Sequence, residues 1–194
     1  VVFIDSEDGE DYFETTFGIR TAKFESDGFY LNGEKTFLRG LNRHQLFPYI
    51  GYAATESLQR EDARILKEDC YVNCVRTWHY PPSEYFIDEC DKQGICVLMD
   101  LTDADFFAHD EENKNLLENA RCQINQFKNH PSIVMWGALA DGTYDNGLIH
   151  EMDPSRQTYA VCHQVCENIS EDVYAYTDYS HNGGNFGCLP KNKV

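Results

Sequence analysis

Residues 73–101 read NCVRTWHYPPSEYFIDECDKQGICVLMDL, and the fold turns on how they are divided. Asn73–His79 is an apolar strand. Glu84–Gln93 is a helix, and Gly94 supplies the residue without a Cβ that a left-handed helix end favours. Ile95–Leu101 is a second apolar strand. Two buried strands joined through a helix make a crossover unit, and such units build parallel sheets with both faces covered.

The same alternation extends in both directions. Upstream, Thr36–Asn42 reads as a strand, and Thr55-Glu56 opens a helix to about Cys70 with Leu58, Ala63, Ile65 and Leu66 along one stripe. Downstream come a helix over Glu112–Lys128, a strand over Ile133–Leu139, a helix near Asn146–Met152 and the stop DPSR. Shorter strands follow at Gln157–Val161 and Val173–Thr177, around a helical turn at Cys162–Asn168. Repeated strand–helix units predict an α/β protein of the (β/α)8 TIM-barrel type, incomplete, with about six of the eight strands. Element order alone leaves a doubly wound sheet open.

The beginning of the chain has a different vocabulary. Residues 1–24 alternate and are rich in β-formers such as Val1, Val2, Phe3, Ile4, Tyr12, Phe13 and Phe17, as the last strands of a preceding β-sandwich domain would be. DGFYLNGEKTFLRG then reads as two strands joined at an Asn32-Gly33 hairpin turn. The expected organisation is the end of an immunoglobulin-like β-sandwich over 1–24, then a partial barrel over 25–194. Val1 at the start and strands already under way suggest a piece of a longer polypeptide, and no secretory signal is legible.

The bulk composition excludes several classes. With 42% hydrophobic and 13% aromatic residues the chain can bury a sizeable core. A net charge of −17 argues against nucleic acid and anionic membranes, which need basic surfaces, and suits neutral partners such as carbohydrate. No apolar run reaches the roughly 18 residues of a membrane span. The eight cysteines form no CxxC pair and no zinc spacing. Reduced buried thiols are the simpler reading and favour a cytoplasmic location.

Blocks along the chain also resemble a known family. FGIRT, DGFYLNGEKTFLRGLNRHQ, NCVRTWHYP, CDKQGICVLMD, NHPSIVMWG and HEMDPSRQT are similar, in order and spacing, to glycoside hydrolase family 2, most of all its β-galactosidase-type members. The resemblance covers about Tyr12 to Val194. It implies retaining hydrolysis of β-linked sugars by two carboxyl groups about 5 Å apart, one a nucleophile and one a general acid/base. It implies no cofactor, although some relatives bind magnesium just past the third strand. Asp103 and Asp105 could serve there, but in so acidic a chain a solvated loop is the favoured reading of them.

The resemblance assigns residues one by one. Asn42 and His44 end the first strand in the family's N-R-H, with the His near the sugar, and His79 ends the second strand. Arg43 and Arg76 are expected to tie strands together through buried ion pairs. Trp78 replaces the usual small residue and either stacks on a pyranose or fills the pocket. Asp100 keeps one acid of the third strand, while Met99 replaces the other. Trp136 opens the acid/base segment as a sugar-side residue or a core anchor, the latter favoured.

The acid/base segment itself departs from the pattern. Relatives read W-x-x-x-(x)-N-E, and this chain reads WGALADGT. Under the longer spacing Asp141 stands for the Asn and Gly142 for the Glu. Under the shorter spacing Ala140 and Asp141 do. Asp141 is therefore a degenerate acid/base candidate, about one methylene short, and Asp145 is too far into the loop. The nucleophile of relatives follows a segment resembling GCLPKNKV, and Glu171, Asp172 and Asp178 do not match its position. The resemblance thus implies hydrolase ancestry with impaired or absent catalysis. The alternative is a pseudoenzyme, a carbohydrate-binding or structural component of a protein assembly or of a longer chain.

Overall fold

The computed structural model describes residues 2–6, 9–102, 114–137, 146–162 and 171–176. Its centre is a sheet of six parallel strands: β6 (Gly40–Arg43), β7 (Cys74–Thr77), β8 (Cys96–Asp100), β9 (Ile133–Gly137), β10 (Gln157–Cys162) and β11 (Val173–Tyr176). Each strand pairs with its neighbour in the sequence, from β6 through to β11. A doubly wound sheet would reverse its strand order at a switch point. The unbroken order excludes that alternative and is the order of part of a barrel.

Helices connect the strands: α1 (Glu56–Glu68), α2 (Glu84–Gln93), α3 (Lys114–Phe127) and α4 (Asn146–Met152). Gly94 does end α2, at φ 64°, with its N–H donating to the Cys90 carbonyl. The outward side chains Val75, Val97, Met99, Ile133 and Trp136 pack against Ala63, Phe86, Ile87, Cys90, Leu116, Ala120, Ile124 and Phe127 of the helices. Arg43 also points outward: its Nη2 donates to Gln59 Oε1 at 2.8 Å, its Nε to Asp62, and its guanidinium lies 3.8 Å from the Phe86 ring centre. Pairing across β8 and β9 slips between Val97 and Leu98, so that Met135 pairs with Leu98 and faces inward while Trp136 faces the helices.

Two small antiparallel sheets precede the barrel. β1 (Val2–Ser6) pairs with β2 (Gly9–Phe13), and every residue of both is exposed. β3 (Ala22–Glu25), β4 (Gly28–Leu31) and β5 (Glu34–Lys35) form a three-stranded sheet whose turn places Asn32 at φ 52° and Gly33 at φ 80°. Positive φ at both positions is what an Asn-Gly hairpin turn requires. Residue 24 falls inside β3, in this sheet.

The three-stranded sheet plugs the N-terminal end of the barrel. Phe29, with Phe24 and Leu31 beside it, packs on Cys74, Cys96, Val134, Met135 and Tyr159. The Phe24 N–H donates to Gln157 Oε1 at 2.6 Å, and Arg20 Nε donates to the Pro131 carbonyl at 2.9 Å. The strand expected over Thr36–Asn42 is shorter and later, because residues 36–39 cross from the plug to the barrel. Their backbone is held instead by Asn73, which accepts from the Arg39 N–H and donates to the Phe37 carbonyl.

Candidate functional site at the C-terminal rim

The last residues of the parallel strands converge at one end of the barrel, where barrel enzymes build their pockets. Asn42, the next-to-last residue of β6, pairs with Arg76 of β7, and both Asn42 and His44, just past the strand, are exposed. Trp78 and His79 follow β7, joined by a cis peptide bond. The Trp78 ring centre is 6.2 Å from that of His44 and 4.3 Å from that of His79. Tyr80 lies 6.3 Å from His44 and receives a hydrogen bond from the Gln45 N–H. Four of the sequence-predicted residues, Asn42, His44, Trp78 and His79, are therefore neighbours on one rim.

Beneath this rim lies a buried ionic cluster. Asp100, at the end of β8, is wholly buried and accepts from Arg76 in two places: Nε to Oδ1 at 3.0 Å and Nη2 to Oδ2 at 2.6 Å. Tyr159 of β10 donates its hydroxyl to Asp100 Oδ1. The Asp100 N–H donates to Thr77 Oγ1 at 3.1 Å. The Arg76 guanidinium also covers the Trp78 ring, 4.5 Å from its centre. One face of Trp78 is thus occupied from within, and the ring is only partly exposed.

The charges explain why this cluster stays as it is. Burial and then the Asp100 carboxylate push the Tyr159 phenol well above its usual range, so it remains a donor. Burial works against the charge of Arg76, but the phenolic oxygen of Tyr159 and the Asp100 carboxylate outweigh it, and the guanidinium is held more firmly protonated than usual. A bidentate Arg–carboxylate pair with a third donor is the arrangement in which a buried charge pair is tolerable.

Gly137, the last residue of β9, makes the cluster fit. A Cβ there would lie 2.6 Å from Asp100 Oδ1 and 2.7 Å from the Tyr159 hydroxyl oxygen. Both atoms are fixed by the ion pair and cannot yield cheaply. Gly137→Ala is expected to destabilise the protein by about 1–3 kcal/mol through overpacking. Urea unfolding followed by circular dichroism measures this, and an unchanged midpoint would show that the cluster is looser than its distances indicate.

The remaining predicted residues lie elsewhere or serve otherwise. Trp136, included among the sugar-facing candidates, is fully buried on the outer side of the sheet, where its indole N–H donates to Asp153 Oδ2 at 2.9 Å. Asp153 also accepts from Arg156 Nη1 at 2.6 Å. The Trp136 side chain lies in the cluster shared with the helices rather than among the rim residues. Asp100 is at the rim but has no exposed surface, so it can act only through its neighbours. Asp141, Asp145, Asp103, Asp105 and Asp178 lie outside the described residues. Among the described residues no group of three or more His, Cys, Asp or Glu side chains is placed to hold a metal ion.

Tyr159 and Gly137 escaped the sequence reading. A Tyr in a strand reads as ordinary β vocabulary, and a Gly inside the strand expected over Ile133–Leu139 carries no sign of what packs against it. A cleft of ≈ 870 Å³ lies at the opposite end of the barrel, lined by Phe17, Arg20, Lys128, Pro131 and Arg156 among others. Among the described residues its lining holds no carboxylate.

Comparison with known proteins agrees with this geometry. A β-galactosidase of Thermoanaerobacterium thermosulfurigenes is 42% identical over 183 residues, covering 90% of this chain and 26% of that protein. A putative β-glucuronidase of Formosa agariphila is 31% identical over 180 residues, 81% of this chain and 22% of that protein. Among solved structures, a β-glucuronidase of Parabacteroides merdae with glycerol in its active site superposes with a TM-score of 0.75 at 28% identity, covering 91% of this chain and 25% of that one. The chain spans about a quarter of the length of these relatives. The family model described as "Glycosyl hydrolases family 2, TIM barrel domain" matches residues 22–183. With six parallel strands in barrel order and that match over most of its length, the chain belongs to glycosyl hydrolase family 2, as a segment of its TIM barrel domain.

Proposed function

We propose that this segment forms the sugar-binding wall of a β-glycosidase barrel and takes β-galactosides, with the hydrolytic step impaired or lost. The observation that carries the binding half is the gathering of Asn42, His44, Trp78 and His79 on one rim over the Arg76–Asp100–Tyr159 cluster. Polar groups beside a partly exposed aromatic ring are what a pyranose needs: hydroxyl partners and an apolar face. The galactosidase relatives motivate the choice of sugar. The catalytic half rests on the segment WGALADGT, which lacks the Asn-Glu pair of the family pattern. Without general acid assistance roughly 10²–10⁴ in rate is lost.

Turnover of nitrophenyl β-galactoside by the full-length polypeptide is expected at least about 10²-fold below that of an ordinary family member assayed beside it. Calorimetric titration with a non-hydrolysable thiogalactoside is expected to show binding, weakened about tenfold, or 1.4 kcal/mol, in Trp78→Ala. Turnover within tenfold of the ordinary enzyme would refute the impairment, and absent binding would refute the sugar-binding wall.

The second reading is a non-catalytic barrel docked in a larger assembly. The exposed Val2, Phe3, Ile4, Tyr12 and Phe13 of the β1–β2 hairpin favour a partner surface there. A monodisperse monomer of the full-length protein in size-exclusion chromatography would count against it.

A further inference from the structure

Among the described residues of the rim, His79 has a ring nitrogen shut away from solvent without a hydrogen-bond partner. Its Nδ1 makes no hydrogen bond, and the polar atom facing it is Asp100 Oδ2, 3.6 Å away. Asp100 cannot turn aside. Oδ1 is held by Arg76 Nε and the Tyr159 hydroxyl, and Oδ2 by Arg76 Nη2. Behind it, Gly137 leaves no slack.

A carboxylate oxygen only accepts hydrogen bonds, and Oδ2 retains an unused lone pair. A neutral imidazole carries one N–H, and the bond made by one nitrogen decides the state of the other. If the proton sat on Nε2, Nδ1 would aim its lone pair at a fixed negative oxygen inside the protein. If it sits on Nδ1, the N–H points at Oδ2 and a small ring rotation closes the bond. We infer that Asp100, pinned by Arg76 and Tyr159 over Gly137, is a positioning residue that fixes His79 as its Nδ1–H tautomer.

The consequence concerns the remaining nitrogen. The His79 side chain is 34% exposed, and with Nδ1 shielded that exposure belongs to its other atoms. Nε2 therefore offers a lone pair at the mouth of the barrel, suited to accept from a sugar hydroxyl. This last step rests on the sugar-binding reading above. The tautomer itself does not.

The test separates the two. Protein carrying ¹⁵N-histidine gives a two-bond proton–nitrogen correlation spectrum, with the His79 signals identified by their loss in His79→Gln. At a pH where the ring is neutral, Nδ1 is expected to show the shift of a protonated ring nitrogen and Nε2 that of a bare one. In Asp100→Asn the amide oxygen takes the Oδ1 place, where two donors meet, and the NH₂ turns to His79. The pattern is then expected to invert. Wild-type His79 protonated on Nε2 overturns the inference, as does an Asp100→Asn spectrum identical to wild type. Should Asp100→Asn not fold, the wild-type spectrum decides alone. Adding a thiogalactoside to the same sample is expected to move the Nε2 signal. An unmoved Nε2 with Nδ1 still protonated removes the sugar contact and leaves the positioning role standing.

Discussion

Replacing Asp141 by Asn together with Gly142 by Glu is expected to raise β-galactoside turnover of the full-length polypeptide by roughly 10²–10⁴-fold. The double change writes Asn-Glu into the fourth-strand segment at the longer spacing of the family pattern. A glutamate there can protonate the departing oxygen, which neither glycine nor a shorter aspartate can do in the right place. The shorter spacing has its own version, Ala140→Asn with Asp141→Glu. Steady-state kinetics on both pairs decides between the spacings, since a carboxyl displaced by about 1 Å forfeits on the order of 10²-fold. The gain should appear in kcat rather than KM, because proton donation acts on the transition state. If neither pair gains and the thiogalactoside still binds, the acid/base group is not what limits this protein.

The second large effect is on stability. Arg76→Met is expected to cost about 3–5 kcal/mol, because it leaves the Asp100 carboxylate buried with its main partner gone. Asp100 has no exposed surface and Arg76 very little, so water cannot take the place of the guanidinium. Tyr159 offers a single hydroxyl donor, too little to carry the whole charge. Adding Asp100→Leu to Arg76→Met is expected to recover most of the loss, since an apolar pair of similar volume removes the stranded charge. Urea midpoints of the single and double variants measure this. Equal stability of wild type and Arg76→Met would mean that water reaches the Asp100 carboxylate in the guanidinium's place.

Much of the architecture was legible along the chain because the barrel strands are short, apolar and separated by amphipathic helices. Glu84–Gln93 and Asn146–Met152 were read at their observed bounds, one closed by Gly94 and the other by the turn at Pro154. Bounds failed where long-range contacts govern them, as at residues 36–39, whose backbone is claimed by Asn73 across the plug. The rim residues Asn42, His44, Trp78 and His79 could be named because they lie at or just past strand ends within recognisable blocks. Tyr159 could not be: it lies 59 positions from the Asp100 carboxylate it serves, and nothing local records that bond.

Sequence alone determined an α/β fold through strand–helix alternation and the family through its matching blocks, since both are read from neighbouring positions. Tertiary structure decided direction. It turned Trp136 and Arg43 out to the helices, closed Asp100 under Arg76 and Tyr159, and left His79 facing that carboxylate. Which side of a strand a residue occupies, and which distant group meets it there, depends on register. A single slip between Val97 and Leu98 sends Met135 inward and Trp136 outward, and register exists only once the strands are paired.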